Sequence, residues 1–166
     1  MYTRDKEYNN IVNEILNDKA FKKTYNIEHH GISRGEHSIK ISYYSYKIAK
    51  RMKLDYISVA RGALLHDFYL DGNERSAKRK FLDTFTHPKK ALSTSNYYFN
   101  INEMEKNIII SHMFPIYPTL PRYKESILVN AVDKVIGGYE MLKEYCLKFK
   151  YQLNYVFVLT LLLISK

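Results

Sequence analysis

Histidine and aspartate occur side by side at one point of this sequence, where they could bind a metal ion. The chain has only six histidines, and His66 is followed directly by Asp67 at the end of an apolar stretch, residues 62–65. Neutral imidazoles and carboxylates bind divalent transition metals, which can activate water for hydrolysis at an open coordination position. A single buried histidine or aspartate is more often a hydrogen-bonded structural group. Because two ligands occur in succession where an apolar helix ends, the doublet favours a metal site.

Further candidate ligands precede and follow this doublet. His37 stands near the start of a predicted helix, and Asp133 lies on a much later one. Between the doublet and Asp133 come His87, next to Pro88, and His112. Taken alone, His87 would be interpreted as a helix cap and His112 as a core histidine. Whether these side chains act as ligands depends on the pattern that all six form together: His37, His66, Asp67, His87, His112 and Asp133.

This order of ligands resembles the HD superfamily of metal-dependent phosphohydrolases, whose pattern is a histidine, then a His-Asp doublet, then a distant aspartate. The similarity extends to Gly31-Ile32-Ser33-Arg34-Gly35-Glu36-His37-Ser38 and to Ala63-Leu64-Leu65-His66-Asp67. It covers residues 27–139 of the 166-residue chain. Each piece is weak by itself, whereas the combined pattern is specific. The resemblance implies an all-α, single-domain helical bundle of the HD type over residues 1–166.

Members of the superfamily with two additional histidines bind two metal ions, and the aspartate of the doublet bridges them. The resemblance therefore implies a dinuclear centre of divalent transition metals, with iron, manganese, nickel, cobalt and zinc all open. It assigns four residues to the first ion: His37, His66, Asp67 and Asp133. It assigns three residues to the second ion: Asp67, His87 and His112. His66 and Asp67 are the residues that it implies for catalysis.

The substrate implied by the resemblance is a phosphoester or phosphoanhydride of a small nucleotide or related phosphorylated metabolite, hydrolysed by a metal-activated hydroxide. Arg34 and Lys134 lie close to ligands in the sequence and could bind the phosphate. A salt bridge to a neighbouring carboxylate is an equally open interpretation of both. Phe68 and Tyr69 follow the doublet, where the cyclic-dinucleotide subgroup has glycine and lysine. This departure argues against cyclic dinucleotides as substrates and leaves the metal ligands unchanged.

The net charge of +9 would attract an anionic partner. The basic residues are scattered, apart from Lys78-Arg79-Lys80 and Lys89-Lys90, which we interpret as solvated surface. A small phosphorylated substrate is therefore the expected partner rather than a specific nucleic acid, and the oligomeric state is not predicted. Two alternative functions stay open. One is an HD-type oxygenase that uses a mixed-valent diiron pair with O₂; the other is a non-enzymatic basic module whose nucleic-acid binding would depend steeply on salt.

Amphipathic helices must position these residues, because apolar side chains recur at spacings of three and four. This periodicity predicts an all-α fold. One stripe comprises Tyr8, Ile11, Val12, Ile15 and Leu16. Three more comprise Ile41, Tyr44, Ile48 and Met52; Ile57, Ala60 and Leu64; and Leu128, Val132, Val135 and Tyr139. Since Asp67 continues the third stripe, a carboxylate is predicted at the end of an apolar face.

Helix boundaries are predicted near several of the candidate ligands. Pro88 fits the first position of a helix, which would place His87 at the start of that helix. Asn102 and Glu105 have the spacing of a capping box and open a predicted helix that runs to His112. Three prolines between residues 115 and 121 then predict a loop.

The C-terminal residues 155–164 are apolar except for Thr160. This run is shorter than the ~20 residues of a membrane-spanning helix. We expect the segment to pack on the core, with an interfacial anchor or a truncated natural end as the second interpretation, so membrane association is not expected. The N-terminal residues contain no apolar stretch of the kind found in signal peptides, which predicts a cytoplasmic location.

Three remaining residues are assigned no chemistry. The single cysteine, Cys146, is placed in a helical core stripe with Leu142 and its neighbours Tyr145 and Phe149, and it has no partner for an intrachain disulfide. His29 and His30 have no position in the metal-binding pattern, and we expect them at the surface.

Overall fold

Helices account for most of the residues that the computed structural model describes. It describes the backbone of residues 4–29, 31–70 and 77–164, and their side chains except those of 29, 77–84 and 156–164. The described α-helices are α1 (Lys6–Asn17), α2 (Lys19–Lys22), α3 (Arg34–Arg51), α4 (Tyr56–Leu65), α5 (Ala77–Tyr98), α6 (Glu103–Ser111) and α7 (Lys124–Ile164). A 3₁₀ helix (Lys23–Asn26) and an antiparallel hairpin of β1 (Glu28–His29) and β2 (Ile32–Ser33) connect α2 to α3. The predicted all-α class is confirmed.

Helix α4 lies at the centre of the fold and is buried along most of its length. One apolar cluster packs Leu64 against α1 and α6, and a second packs Val59 and Ala63 against α3 and α7. At Gly62, an added Cβ would lie only 3.0 Å from the Ile108 side chain, so glycine permits the close approach of α4 and α6. Because α4 is covered on both sides, its C-terminal end lies inside the protein.

Capping side chains determine where the ligand-bearing helices begin. Ser33 caps α3 in a capping box with Glu36, which places His37 at the end of the first turn. Asn102 accepts a hydrogen bond from the backbone N–H of Glu105, whose carboxylate accepts one from the Asn102 N–H. The predicted start of α6 is thereby confirmed, and so is the helix-free stretch after His112.

The predicted start of a helix at Pro88 is wrong. Pro88 lies inside α5, which runs from Ala77 to Tyr98. Proline removes one N–H donor and crowds the preceding turn. The helix nevertheless continues on both sides, so the loss of one intrahelical hydrogen bond does not end it here. His87 consequently lies in the middle of a helix.

Several predicted apolar stripes are only partly buried. The stripe on α1 is confirmed, since Tyr8, Val12, Ile15 and Leu16 are all buried. In contrast, solvent reaches the following members of the other stripes: Tyr44, Ile48, Met52, Ile57, Val135 and Tyr139. Spacing determines which residues share a helix face, but burial also needs a neighbouring element that covers the face.

Helix α7 extends well beyond the predicted last stripe and includes the C-terminal segment. The predicted core stripe around Cys146 is wrong, because Cys146, Leu142, Tyr145 and Phe149 are exposed. Tyr155 is also exposed, and the side chains of 156–164 lie outside the described part of the structure. Packing of that segment on the core therefore stays a prediction. In the described residues, no helix is long and apolar enough to cross a membrane.

A partly buried ion pair connects α4 to α6. Arg61 Nε donates to Glu105 Oε1 at 2.8 Å, and the same guanidinium reaches Glu14 Oε2 at 3.1 Å. Burial raises the pKa of Glu105 despite hydrogen bonds from Asn102 and Arg61. The carboxylate would therefore be strongly disfavoured if Arg61 were removed.

We expect Arg61→Ala to lower the free energy of unfolding at pH 7 by about 3 kcal/mol, because it leaves a charged carboxylate buried without its cation. The loss should shrink as the pH falls through the raised pKa of Glu105, since the protonated acid tolerates burial. Urea unfolding followed by circular dichroism measures both effects. Lys106→Ala removes the exposed pair with Glu103 and should cost less than about 0.5 kcal/mol; an equal cost for both variants would contradict the expectation.

Candidate metal centre

The doublet lies directly after the last residue of α4. His66 is the C-cap of that helix, and its Nδ1 lies 2.7 Å from the Ala63 carbonyl oxygen. A carbonyl oxygen can only accept a hydrogen bond, so Nδ1 carries a proton and donates it. The Nε2 atom is buried and, among the described residues, forms no hydrogen bond. It lies 3.5 Å from Asp133 Oδ1 and 3.8 Å from Asp67 Oδ2.

His112 occupies the equivalent position at the end of α6. It is the C-cap residue, and its Nδ1 donates to the Ile109 carbonyl oxygen at 2.7 Å. Helix ends leave carbonyl oxygens without intrahelical partners, which is why both helices can fix an imidazole in this way. The rings of His66 and His112 lie 4.9 Å apart, centroid to centroid. Two helix C-termini thus direct Nε2 atoms into one buried space.

Helix α7 contributes two carboxylates that contact opposite sides of the His37 ring. Asp133 Oδ1 lies 3.3 Å from His37 Nε2, and Glu140 Oε2 lies 2.7 Å from His37 Nδ1. The two acids are seven residues apart, or about two helical turns, so they project from the same face of α7. Lys40 Nζ, one turn beyond His37 on α3, donates to Glu140 Oε1 at 2.8 Å. Glu140 therefore binds a histidine and a lysine at once.

Asp67 lies between the remaining histidines. Its Oδ1 is 3.4 Å from His87 Nε2 and 3.6 Å from His112 Nε2, whereas its Oδ2 faces His66. The six candidate residues thus lie close together, although 96 positions separate His37 from Asp133. His87 and His112 both lie on the side of Asp67 Oδ1.

Two overlapping groups within this cluster have the geometry of cation ligands. His37, His66 and Asp133 form one, and His66, Asp67 and His112 form the other, with ligand atoms within 4.8 Å of one another in each group. His87 Nε2 lies only 2.9 Å from His112 Nε2. Since His112 donates through Nδ1, its Nε2 offers a lone pair to the facing nitrogen. Imidazole lone pairs and carboxylates directed into one buried space fit a divalent transition metal.

The electrostatics of the cluster match this interpretation. Burial opposes a charge on His37, but hydrogen bonds to Asp133 and Glu140 outweigh it and raise its pKa to about 9. Burial and the neighbouring His66 lower the pKa of His112 to about 4. Asp133 is partly buried, yet its contacts with the His37 and His66 rings hold its pKa well below the usual range. In the group of His37, His66 and Asp133, bound protons thus balance the negative charge of the carboxylate. A divalent cation would replace those protons.

Arg34, predicted to bind substrate, lies beside the cluster. Its Nη1 donates to the Tyr69 carbonyl oxygen at 2.7 Å, and its guanidinium lies 3.7 Å above the centre of the Tyr69 ring. That ring is 5.9 Å from the ring of His87. Arg34 is buried, and its Nε forms no hydrogen bond with the described residues. Contact with substrate stays a prediction for this residue.

Lys134, the second predicted substrate-binding residue, contacts the segment after His112. Its Nζ donates to the Phe114 carbonyl oxygen at 2.7 Å and to Asn130 Oδ1 at 2.6 Å. Asn130 in turn donates to the carbonyl oxygens of residues 111, 112 and 114. In the described part of the chain, neither Arg34 nor Lys134 forms an ion pair with a carboxylate, so the salt-bridge interpretation finds no support there. The substrate role of Lys134 stays a prediction.

Glu140, which is buried and contacts His37, is not among the residues predicted from the sequence. Its spacing from Asp133 could have indicated it, because an acid two turns after Asp133 must share its helix face. Asn130 was not predicted either, because no sequence signature marks a side chain that donates to loop carbonyl oxygens. The side chains of His29 and His30 lie outside the described residues, so their surface position stays a prediction.

The chain is thus an all-α protein with buried histidine and aspartate groups that can hold a metal ion. The identity of that metal does not follow from the ligands, since nitrogen and oxygen donors suit several divalent ions. No protein-family model matches this chain, and neither does any curated protein or solved structure.

Proposed function

We propose that this protein is a metal-dependent phosphohydrolase of the HD superfamily, acting on a phosphoester or phosphoanhydride of a small nucleotide or related phosphorylated metabolite. One observation carries the proposal. Six residues whose order resembles the superfamily pattern lie in a single buried cluster, with Asp67 between histidines of both groups. A structural polar network does not need so many imidazole nitrogens and carboxylates directed into one space, whereas a dinuclear metal centre requires them.

Each residue has a place in this proposal. His37, His66, Asp67 and Asp133 would hold one ion, and Asp67, His87 and His112 the other. When bound, such ions activate water and stabilise the attacking and leaving oxygens of a phosphoryl displacement. His66 and His112 are oriented by carbonyl oxygens of their own helices, so their Nε2 atoms need no rearrangement to act as ligands.

Cationic groups of the chain would contribute to substrate binding. Arg34 is held in place by Tyr69 and retains a buried Nε without a described partner. A guanidinium can bind two phosphate oxygens at once, so a fixed Arg34 would orient the phosphate relative to the cluster. The net charge of +9 would draw an anionic substrate toward the protein.

The test begins with protein purified without chelator, whose metal content is measured. Phosphomonoesters, phosphodiesters and nucleoside polyphosphates are then assayed with Mn²⁺, Fe²⁺, Ni²⁺ or Co²⁺. We expect bound transition metal and hydrolysis of at least one class of phosphate compound. Chelation of the metal should abolish that hydrolysis. Absence of both metal and hydrolysis would refute the proposal. Bound iron with oxygen consumption would instead indicate an oxygenase, and salt-dependent nucleic-acid binding indifferent to His66→Ala would indicate a basic binding module.

A further inference from the structure

The histidines of the cluster differ in the chemical group that their second ring nitrogen contacts. The second ring nitrogens of His66 and His112 donate to neutral backbone carbonyls. The second ring nitrogen of His37 instead faces a carboxylate, Glu140 Oε2 at 2.7 Å. A carboxylate behind an imidazole makes the ligand nitrogen more basic and fixes the ring more firmly than a neutral acceptor does. The group that contains His37 therefore differs from the group that contains His112.

The position of Glu140 is itself well defined. Only 4% of its side chain is exposed, and Lys40 donates to the oxygen that does not contact His37. Both carboxylate oxygens thus have cationic or N–H partners, which favours the ionised form in a buried place. Asp133 binds the opposite nitrogen of the same ring from the same helix, so His37 is held between two acids of α7.

We propose, on the basis of the metal centre proposed above, that Glu140 is a positioning residue that makes the His37, His66 and Asp133 group the tighter of two cation sites. The first ion then binds to that group, and the second ion binds to the group around His112. Glu140 does not touch the ion. It acts through His37, by holding Nδ1–H so that Nε2 presents its lone pair to the ion.

Binding of Zn²⁺ to the full chain, measured by competition with a fluorescent chelator, tests this inference. We expect Glu140→Ala to weaken the first binding step by roughly 10–100-fold and to leave the second step unchanged. Glu140→Gln should lie between wild type and Glu140→Ala, because an amide oxygen still accepts from Nδ1–H but carries no charge. The control is Glu144→Gln, which changes an acid one turn further along α7 that pairs with Lys148 and should alter neither step.

Nitrogen-15 NMR of the histidine rings distinguishes a positioning role of Glu140 from a purely structural one. A purely structural role would leave the order of metal-dependent shifts unchanged. With one equivalent of Zn²⁺, wild-type protein should show metal-dependent shifts at His37 Nε2, with a proton on Nδ1, before any shift at His112. In Glu140→Ala, the shift at His37 should no longer precede the shift at His112. The two shifts should occur together or in the reverse order. Hydrolysis is not used as a readout, so the result does not depend on whether a substrate has been found.

Each outcome decides the inference. Unchanged first-step affinity in folded Glu140→Gln and Glu140→Ala, or initial shifts at His112 in wild type, would overturn the role of Glu140 while the metal centre stands. If Glu140→Ala fails to fold by circular dichroism, the isosteric Glu140→Gln variant alone decides. Wild-type protein that binds no Zn²⁺ would overturn the metal centre and this inference together.

Discussion

Replacing Asp67 by alanine should abolish hydrolysis and remove both metal ions, because this carboxylate lies between histidines of both groups. Its Oδ1 is within 3.6 Å of His87 and His112, and its Oδ2 faces His66. The other candidate ligands each serve one ion in the proposed arrangement. The loss of a group shared by both ions should lower the rate by on the order of 10³-fold or more, equivalent to several kcal/mol of transition-state stabilisation.

The fold should survive Asp67→Ala, since Asp67 belongs to neither apolar cluster that packs α4. Circular dichroism and metal analysis on the same sample separate folding from binding. Cys146→Ser, an exposed change on α7, serves as the control and should retain full metal content. A folded Asp67→Ala protein that keeps about two ions per chain would show that this residue is no bridge.

His112→Ala should remove one ion and leave the other bound, which distinguishes two ion positions from one. His112 lies near Asp67 and His87, whereas His37 is held at the far side by Asp133 and Glu140. His87→Ala should have the same effect as His112→Ala. His37→Ala and Asp133→Ala should instead remove the ion that His112→Ala retains. We expect about one ion per chain in each variant.

Metal analysis after dialysis against buffer without chelator measures these occupancies, and thermal unfolding with and without added metal checks them. A metal bound only to the native state raises the melting temperature, so each variant should keep part of that increase. Equal loss of all metal in the four variants would show a single cooperative site, and full retention in His112→Ala would exclude His112 as a ligand.

The residues of the cluster could be predicted from the sequence because histidine and aspartate side chains bind transition metals and because their order resembles a known pattern of metal ligands. The capping box at Asn102 could be predicted because its two hydrogen bonds join residues only three positions apart. Such features can be predicted without knowing which helices pack against each other.

The burial of whole helix faces was predicted less well. Met52 and Tyr139 continue apolar stripes, yet both are exposed, because no described element covers those parts of α3 and α7. Pro88 was expected to begin a helix, whereas α5 continues through it. Local preferences do not decide either outcome, since a helix face is buried only where another element covers it and a proline need not end a helix.

By itself the sequence determined the all-α class, the order of the candidate ligands and the cap that begins α6. Only the tertiary structure decided which atoms meet. Glu140 reaches His37 across 103 positions, and Lys134 donates to the carbonyl oxygen of Phe114 rather than pairing with an acid. These contacts depend on how α3, α6 and α7 cross, and a helix crossing is set by the packing of many side chains together. No single residue type or spacing specifies this packing. The partners of His37 and Lys134 could therefore be identified only from the tertiary structure.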